Sequence, residues 1–251
     1  MKGIDVSKYQ GVIDFAKVKS DGIDFVMIRA GYGAGYIDQQ FQRNITECNR
    51  LNIPCGVYWF SYALTPAMAA REAEYCLSAV APYKLEFPIA FDYEYDSVSY
   101  AKRNNVNVTK SLASAIAKSF CGKIEAAKYY ALNYTNKDFL SRYYEAMDYG
   151  IWLAAWNGGD EMPSGCQIWQ YTSTGTVAGI NGYVDMNITK IDFPAVIRRA
   201  GLNGLSETPW WDEALRWGIE NGITDGSAPE DTATRAQVIT MLKRYHDKFG
   251  G

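Results

Sequence analysis

The chain has 251 residues, 48% of them hydrophobic, and a formal net charge of −3. That is enough apolar material for one large domain with a small appendage, and it excludes a disordered or strongly basic protein. No block of Lys and Arg could neutralise a row of phosphates, which removes nucleic acid as a partner. From Ser206 onward eight acids stand against five bases, so the tail carries the whole charge excess over a neutral body.

Eight short apolar runs read as strands in chain order: 3–7, 24–31, 55–62, 88–95, 127–134, 150–156, 166–171 and 184–189. Helical patterns separate the early ones. Thr65 as N-cap with Pro66 behind it opens one over 67–80, and another runs from Thr109 to Phe120 with Gly122 as its stop. The segment 31-GYGAGY-36 has Tyr36 where a dinucleotide fingerprint needs its third glycine, so it reads as a flexible loop with aromatics. After the sixth strand the connections, 157-NGGDEMPSG-165 and 172-TSTGTVAGINGY-183, are rich in Gly, Ser and Thr and read as loops or hairpins. Strand–helix alternation argues a parallel sheet. Eight strands in this length argue an α/β, TIM-like barrel with an incomplete set of helices over residues 1–200.

Residues 206–251 change pattern to a small helical hairpin domain. Its first helix is capped by Thr208 with Pro209 behind it. Its second opens on a Thr234/Gln237 capping box and carries Val238, Met241, Leu242, Tyr245 and Phe249 on one stripe. Five scattered cysteines, Cys48, Cys55, Cys76, Cys121 and Cys166, lack metal-ligand or scaffold spacing and read as reduced core thiols. No charged-then-apolar leader precedes the first strand. The expectation is therefore a protein made without an export signal.

Chemistry concentrates in 88-PIAFDYEYDS-97, where Asp92, Glu94 and Asp96 alternate directly after an apolar run. Residues two apart on a strand face one side, so Asp92 and Glu94 are expected to point together into the barrel mouth and Tyr93 outward. Asp5 and Asp185 lie on strands that could bring them to the same place. Close carboxyls cannot all ionise cheaply, and a protonated acid beside a charged partner is what glycosidic bond cleavage requires. Pairing with Arg or Lys would explain the acids equally well, whereas a calcium loop would want a glycine that 92-DYEYDSV-98 lacks. The lone histidine, His246, falls in the last helix, so the barrel holds no imidazole for a triad or a histidine-ligated metal. No cofactor or metal is implied. Tyr and Trp cluster at strand ends, where flat rings with polar tips suit sugar faces.

With these blocks in place the chain resembles the glycoside hydrolase family 25 lysozymes, N-acetylmuramidases of bacteria, fungi and bacteriophages. The resemblance runs from Lys2 to about Pro194, carried by 3-GIDVSKYQG-11, 55-CGVYWFSY-62, 91-FDYEYD-96 and 168-IWQYTSTGTVAGINGYVDMN-187. It implies Glu94 as general acid/base and Asp92 as the group that polarises the substrate's N-acetyl arm for attack on the anomeric carbon. It implies Asp5 and Asp185 as the rest of an acidic floor, and Tyr58, Tyr134, Trp156 and Gln170 as groove-lining, substrate-binding residues. The chitinases of family 18 would carry another acid where Ala90 stands. The implied partner is the glycan strand of peptidoglycan, cut at the β-1,4 bond between N-acetylmuramic acid and N-acetylglucosamine.

The lack of a leader suits a phage endolysin, made in the host cytoplasm and acting on the cell wall after release. A catalytically inactive peptidoglycan-binding protein on the same barrel is the alternative. An amidase or peptidase would ordinarily need zinc or a cysteine–histidine pair. The tail, 210-WWDEALRWGIENGITDG-226 with 234-TRAQVITMLKRY-245, resembles one S-layer homology motif. It would bind a wall-associated polymer, pair with other copies as a homo-oligomer, or cap the barrel.

Overall fold

The computed structural model describes residues 1–146, 148–156, 159, 161–205, 211–229 and 231–250. The chain divides into two compact units, Met1–Ser206 and Glu207–Gly251. The first unit runs β1 (Lys2–Val6), a short 3-10 turn (Lys8–Gln10), α1 (Phe15–Ser20), β2 (Phe25–Tyr32), β3 (Tyr36–Ile37), α2 (Phe41–Arg50), β4 (Cys55–Phe60) and α3 (Pro66–Val80). It continues through β5 (Ile89–Asp92), α4 (Tyr95–Arg103), α5 (Lys110–Ala126), β6 (Ala131–Asn136), α6 (Lys137–Tyr143), β7 (Gly150–Ala154), β8 (Ile168–Gly175), β9 (Val184–Ile188) and α7 (Phe193–Arg199).

Eight strands close a barrel in the order β1-β9-β8-β7-β6-β5-β4-β2, with β2 returning to β1. The expected barrel is therefore present, but its sheet is mixed rather than parallel. β9 runs antiparallel to both β8 and β1. The physical reason is the 172–183 connection, which is too short for a crossover helix and so can only turn the chain back. The two-residue β3 pairs antiparallel with the end of β2, making 31-GYGAGY-36 a tight hairpin instead of the flexible loop expected. Gly33 and Gly35 take positive φ in its turn. A Cβ on Gly31 would lie 2.4 Å from the Tyr36 carbonyl, so a side chain there is incompatible with the pairing.

Alternation along the strands sorts residues into two layers. Met27, Ala90, Leu132, Trp152 and Ile168 fill the barrel interior, while Val26, Ile28, Val57, Trp59, Ile89 and Phe91 pack outward against the helices. Phe25 stacks on Phe87 with ring centres 4.4 Å apart, and Phe193 of α7 meets Phe87 at 5.2 Å, closing the barrel beneath the strands' N-terminal ends. Each such buried ring contributes about 2 kcal/mol from lost apolar exposure. Chemistry is left to the opposite end.

Local signals explain several boundaries. Thr65 accepts from the Met68 amide at 3.2 Å and Pro66 is the first residue of α3, as the sequence predicted. α5 starts after Thr109 but runs four residues beyond the predicted stop at Gly122, because Cys121 and Ile124 continue its buried face. Cys48, Cys55, Cys76 and Cys121 are buried free thiols, whereas Cys166 is only half-buried and is not a core residue. Among the described residues no helix is long and apolar enough to cross a membrane.

In the second unit, α8 spans Asp212–Glu220 and α9 spans Arg235–Phe249. The predicted Thr208 cap and Pro209 lie outside the described residues. The Thr234/Gln237 capping box is present, with bonds of 2.7 and 3.2 Å. Trp217, Tyr245 and Phe249 form a small ring cluster with centres 5.3 to 6.2 Å apart. Along α9, Val238, Leu242, Tyr245 and Phe249 remain substantially exposed. His246 is exposed on the same helix.

Candidate active site

A cavity of about 540 Å³ opens at the C-terminal ends of the parallel strands and is lined by Asp5, Asp92, Glu94 and Asp185 together with Tyr58, Tyr134, Trp156 and Gln170. All eight residues predicted from the sequence thus meet in one place. Asp5 reaches it from the end of β1. Asp185 is the second residue of β9 and lies directly across the ladder from Asp5. Only an antiparallel β9 can do this, since in a parallel strand its second residue would sit at the closed end of the barrel.

The acidic strand is shorter than expected. β5 stops at Asp92, and Glu94 is the N-cap of α4 with extended φ and ψ of −129° and −169°. Alternation survives across that break, so Asp92 and Glu94 both face the cavity while Tyr93 is buried on the outer side against Phe91 and Phe139. Asp96, the third acid of the motif, is on the first turn of α4, exposed and outside the cavity lining.

Asp5 Oδ2 accepts two amides, from Gln170 Nε2 at 2.9 Å and Asn187 Nδ2 at 2.8 Å. Burial and the neighbouring Asp185 charge outweigh those bonds and push Asp5 up to about 7. Burial, followed by the charge of Glu94, holds Asp92 well above the usual carboxylate range. Burial also raises Glu94, partly opposed by its hydrogen bonding with Asp92, and burial raises Asp185. Burial thus raises every carboxyl of the floor, Asp5 to about 7.

Around the acids the polar groups are interlocked. Gln170 Oε1 accepts from the Tyr134 hydroxyl and the Trp156 indole, each at 3.0 Å, while its amide nitrogen serves Asp5. Asn187 repeats this on the other side, accepting from Trp152 Nε1 at 2.8 Å. Tyr58 and Tyr134 both set their rings edge-on to Trp152. Burial drives both phenols well above their usual range, so they stay protonated donors. Trp156 is 48% exposed and presents a flat face at the rim.

Among the lining residues, Arg29 and Tyr9 escaped the sequence reading, as did Asn187, which bonds the floor at Asp5. Asn187 is two positions from Asp185 on one strand, so simple alternation was the available signal. Arg29 is held by a buried pair with Asp38 at 2.6 Å and lies over the Tyr9 ring, with 5.0 Å from guanidinium to ring centre. The alternative explanation of the acids as ion-paired structural groups fits Asp38 and not the cavity floor. No Lys or Arg pair with Asp5, Asp92, Glu94 or Asp185 occurs among the described residues.

A closed barrel with paired carboxyls at its mouth and an aromatic rim is an arrangement that suits a glycoside hydrolase. The profile of glycosyl hydrolases family 25 matches residues 4–180, and the chain belongs to that family. Lysozyme M1 of Streptomyces globisporus is 29% identical over 200 residues, covering 74% of this chain and 67% of its own length. The modular autolysin LytC of Streptococcus pneumoniae superposes with a TM-score of 0.65 at 30% identity, over 74% of this chain and 46% of LytC. This chain therefore spans less than half of LytC. The CTP1L endolysin aligns over 100% of this chain and 99% of its own with a TM-score of 0.63, a likeness of fold alone at 17% identity.

Proposed function

We propose that the chain is a cell-wall muramidase that hydrolyses the β-1,4 bond between N-acetylmuramic acid and N-acetylglucosamine in peptidoglycan. The observation that carries this is the Asp92–Glu94 pair facing one cavity, with Asp5 and Asp185 completing a floor of four carboxyls that burial raises. Glu94 is the acid that protonates the leaving oxygen and then the base that activates water. It is the more accessible member of the pair, half-buried where Asp92 is 4% exposed. Asp92 polarises the N-acetyl group of the sugar whose bond breaks, so that the acetamido oxygen attacks the anomeric carbon. Tyr134, Trp156 and Gln170 hold the sugar, and Tyr58 borders it. LytC has been solved with a synthetic peptidoglycan ligand, which supports a glycan polymer as the substrate here.

The setting we propose is an endolysin acting on the bacterial wall after release, with the second unit as an aid to wall binding or self-association. Mass spectrometry of digested wall tests the reaction. New muramic acid reducing ends are expected; N-acetylglucosamine reducing ends or freed peptides would overturn it. Glu94→Gln keeps the shape and removes the transferable proton. It is expected to bind wall and lose at least about 100-fold in rate. A wild-type Glu94 that binds wall yet releases no reducing ends would favour the inactive binding protein instead.

A further inference from the structure

Glu94 stands just outside the barrel ladder; its carbonyl accepts the Val98 amide at 3.0 Å, and its amide is held by a single hydroxyl. The Glu94 amide donates to Ser97 Oγ at 3.1 Å, and the same hydroxyl donates to the Ser61 carbonyl at 2.7 Å. Ser61 in turn donates its amide to the Asp92 carbonyl at 2.8 Å. One residue beyond β4 is thereby bonded through its main chain to both members of the acid pair, to Asp92 directly and to Glu94 through Ser97.

The Ser61 carbonyl is a fixed reference point. The turn that carries it is anchored from α3, where Glu72 Oε1 accepts the Tyr62 amide at 3.1 Å, and it is closed by Ala63 N donating to Ser61 Oγ at 3.2 Å. Ser61, Ser97 and Glu72 are at most 3% exposed, so water does not compete for these bonds. A serine hydroxyl has one proton. Since Ser97 donates it to Ser61, its lone pairs face the Glu94 amide, and both bonds are directional. Glutamate is not among the favoured N-cap residues, and the start of α4 is held instead by a reciprocal capping box in which the Glu94 side chain accepts from the Ser97 amide while the Ser97 hydroxyl accepts from the Glu94 amide.

We propose that Ser97 is a positioning residue for the acid/base, tying the Glu94 backbone to the β4–α3 turn so that its carboxyl stays in register with Asp92. This rests on the assignment of Glu94 as acid/base. The Ser97 hydroxyl, the group that Ser97→Ala removes, bonds the Glu94 amide and the Ser61 carbonyl; it acts on the rate through the placement of Glu94, where an error of about 1 Å can cost up to about 100-fold.

The test compares Ser97→Ala, Ser97→Thr and Ser97→Cys on soluble glycan-strand fragments, with rates normalised to folded protein, alongside Glu94→Gln. Ser97→Ala is expected to lower kcat by about tenfold with KM within about twofold. It should also displace the alkaline limb of the pH–rate profile, because a wandering Glu94 carboxyl no longer shares its proton field with Asp92. Ser97→Thr, which keeps the hydroxyl, should recover most of the rate. A Ser97→Ala protein that melts earlier but keeps kcat and its pH profile would overturn the proposal, since a purely structural role moves stability alone. Should Ser97→Ala not fold, Ser97→Thr against Ser97→Cys makes the same comparison, and equal kcat in those two also overturns it. An active Glu94→Gln would instead remove the acid/base assignment. Inactive Glu94→Gln with unchanged Ser97→Ala removes only the positioning role.

Discussion

Glu72 offers the clearest link between burial and measurable stability. It lies on α3 and is 3% exposed; Oε1 accepts the Tyr62 amide, and Oε2 has no partner among the described residues. Burial pushes its carboxyl from 4.5 up to about 7. The fold therefore prefers the protonated form. Below about pH 4.5 both folded and unfolded chains carry the proton, and the site costs nothing. Between about pH 4.5 and 7 the unfolded chain ionises first, so stability falls as pH rises. Above about pH 7 both states are ionised and the penalty levels off. A shift of this size amounts to about 3 kcal/mol, at about 1.4 kcal/mol per pH unit.

Glu72→Gln keeps an acceptor for Tyr62 and cannot ionise, so it is expected to lack this slope. The variant's stability relative to wild type should grow by about 3 kcal/mol between pH 4 and pH 8, read from urea unfolding at a series of pH values. The raised carboxyls of the cavity floor contribute the same slope to both proteins and cancel. Any cost of burying the glutamine NH₂ is independent of pH and shifts the curve without tilting it. A difference between the two proteins that stays flat across that range would refute the assignment of a buried, proton-holding Glu72.

Asp92→Asn should be severe on substrates that carry the 2-acetamido group, by about 100-fold or more, and milder on glycans that lack it; equal loss on both, measured by reducing-end release, would exclude acetamido participation. Asp5→Asn removes a charge that helps hold Asp92 up, so the acidic limb of the pH–rate profile, which reports ionisation of Asp92, should move to lower pH, and an unmoved limb would uncouple Asp5 from the pair. Truncation after Gly204 keeps the first unit except Leu205 and Ser206, and all eight site residues. The product should be soluble and cleave small muropeptide fragments while lysing whole cells less well; unchanged lysis would leave the second unit with no targeting role.

The acids were legible because a strand's period of two places Asp92 with Glu94 and buries Tyr93, whatever the strand's length. The barrel was legible for a related reason: eight apolar runs with helical patterns between the early ones leave few ways to hide so much sheet. Strand direction was less so. The connection 172–183 read as a hairpin, yet the parallel expectation was carried through to the last strand, and the position of Asp185 near the start of β9 was the clue that it had to turn back. The extension of α5 past Gly122 was hidden because a glycine's intrinsic preference for helix ends gives way when the face around it is buried.

The hydrogen-bonded web around Asp5 could not be read from local pattern, since Gln170 and Asn187 are 165 and 182 residues away along the chain. It nevertheless decides what Asp5 can do. Burial and Asp185 would keep this carboxyl firmly protonated, while two amides aimed at one oxygen favour its charged form, and the balance falls at about 7. Gln170 is the adjustable part of that balance, because the amide that serves Asp5 is oriented by Tyr134 and Trp156 on its other end. Loss of the Gln170–Asp5 bond would favour the protonated carboxyl, so Tyr134 and Trp156 bear on the charge of Asp5 through one glutamine.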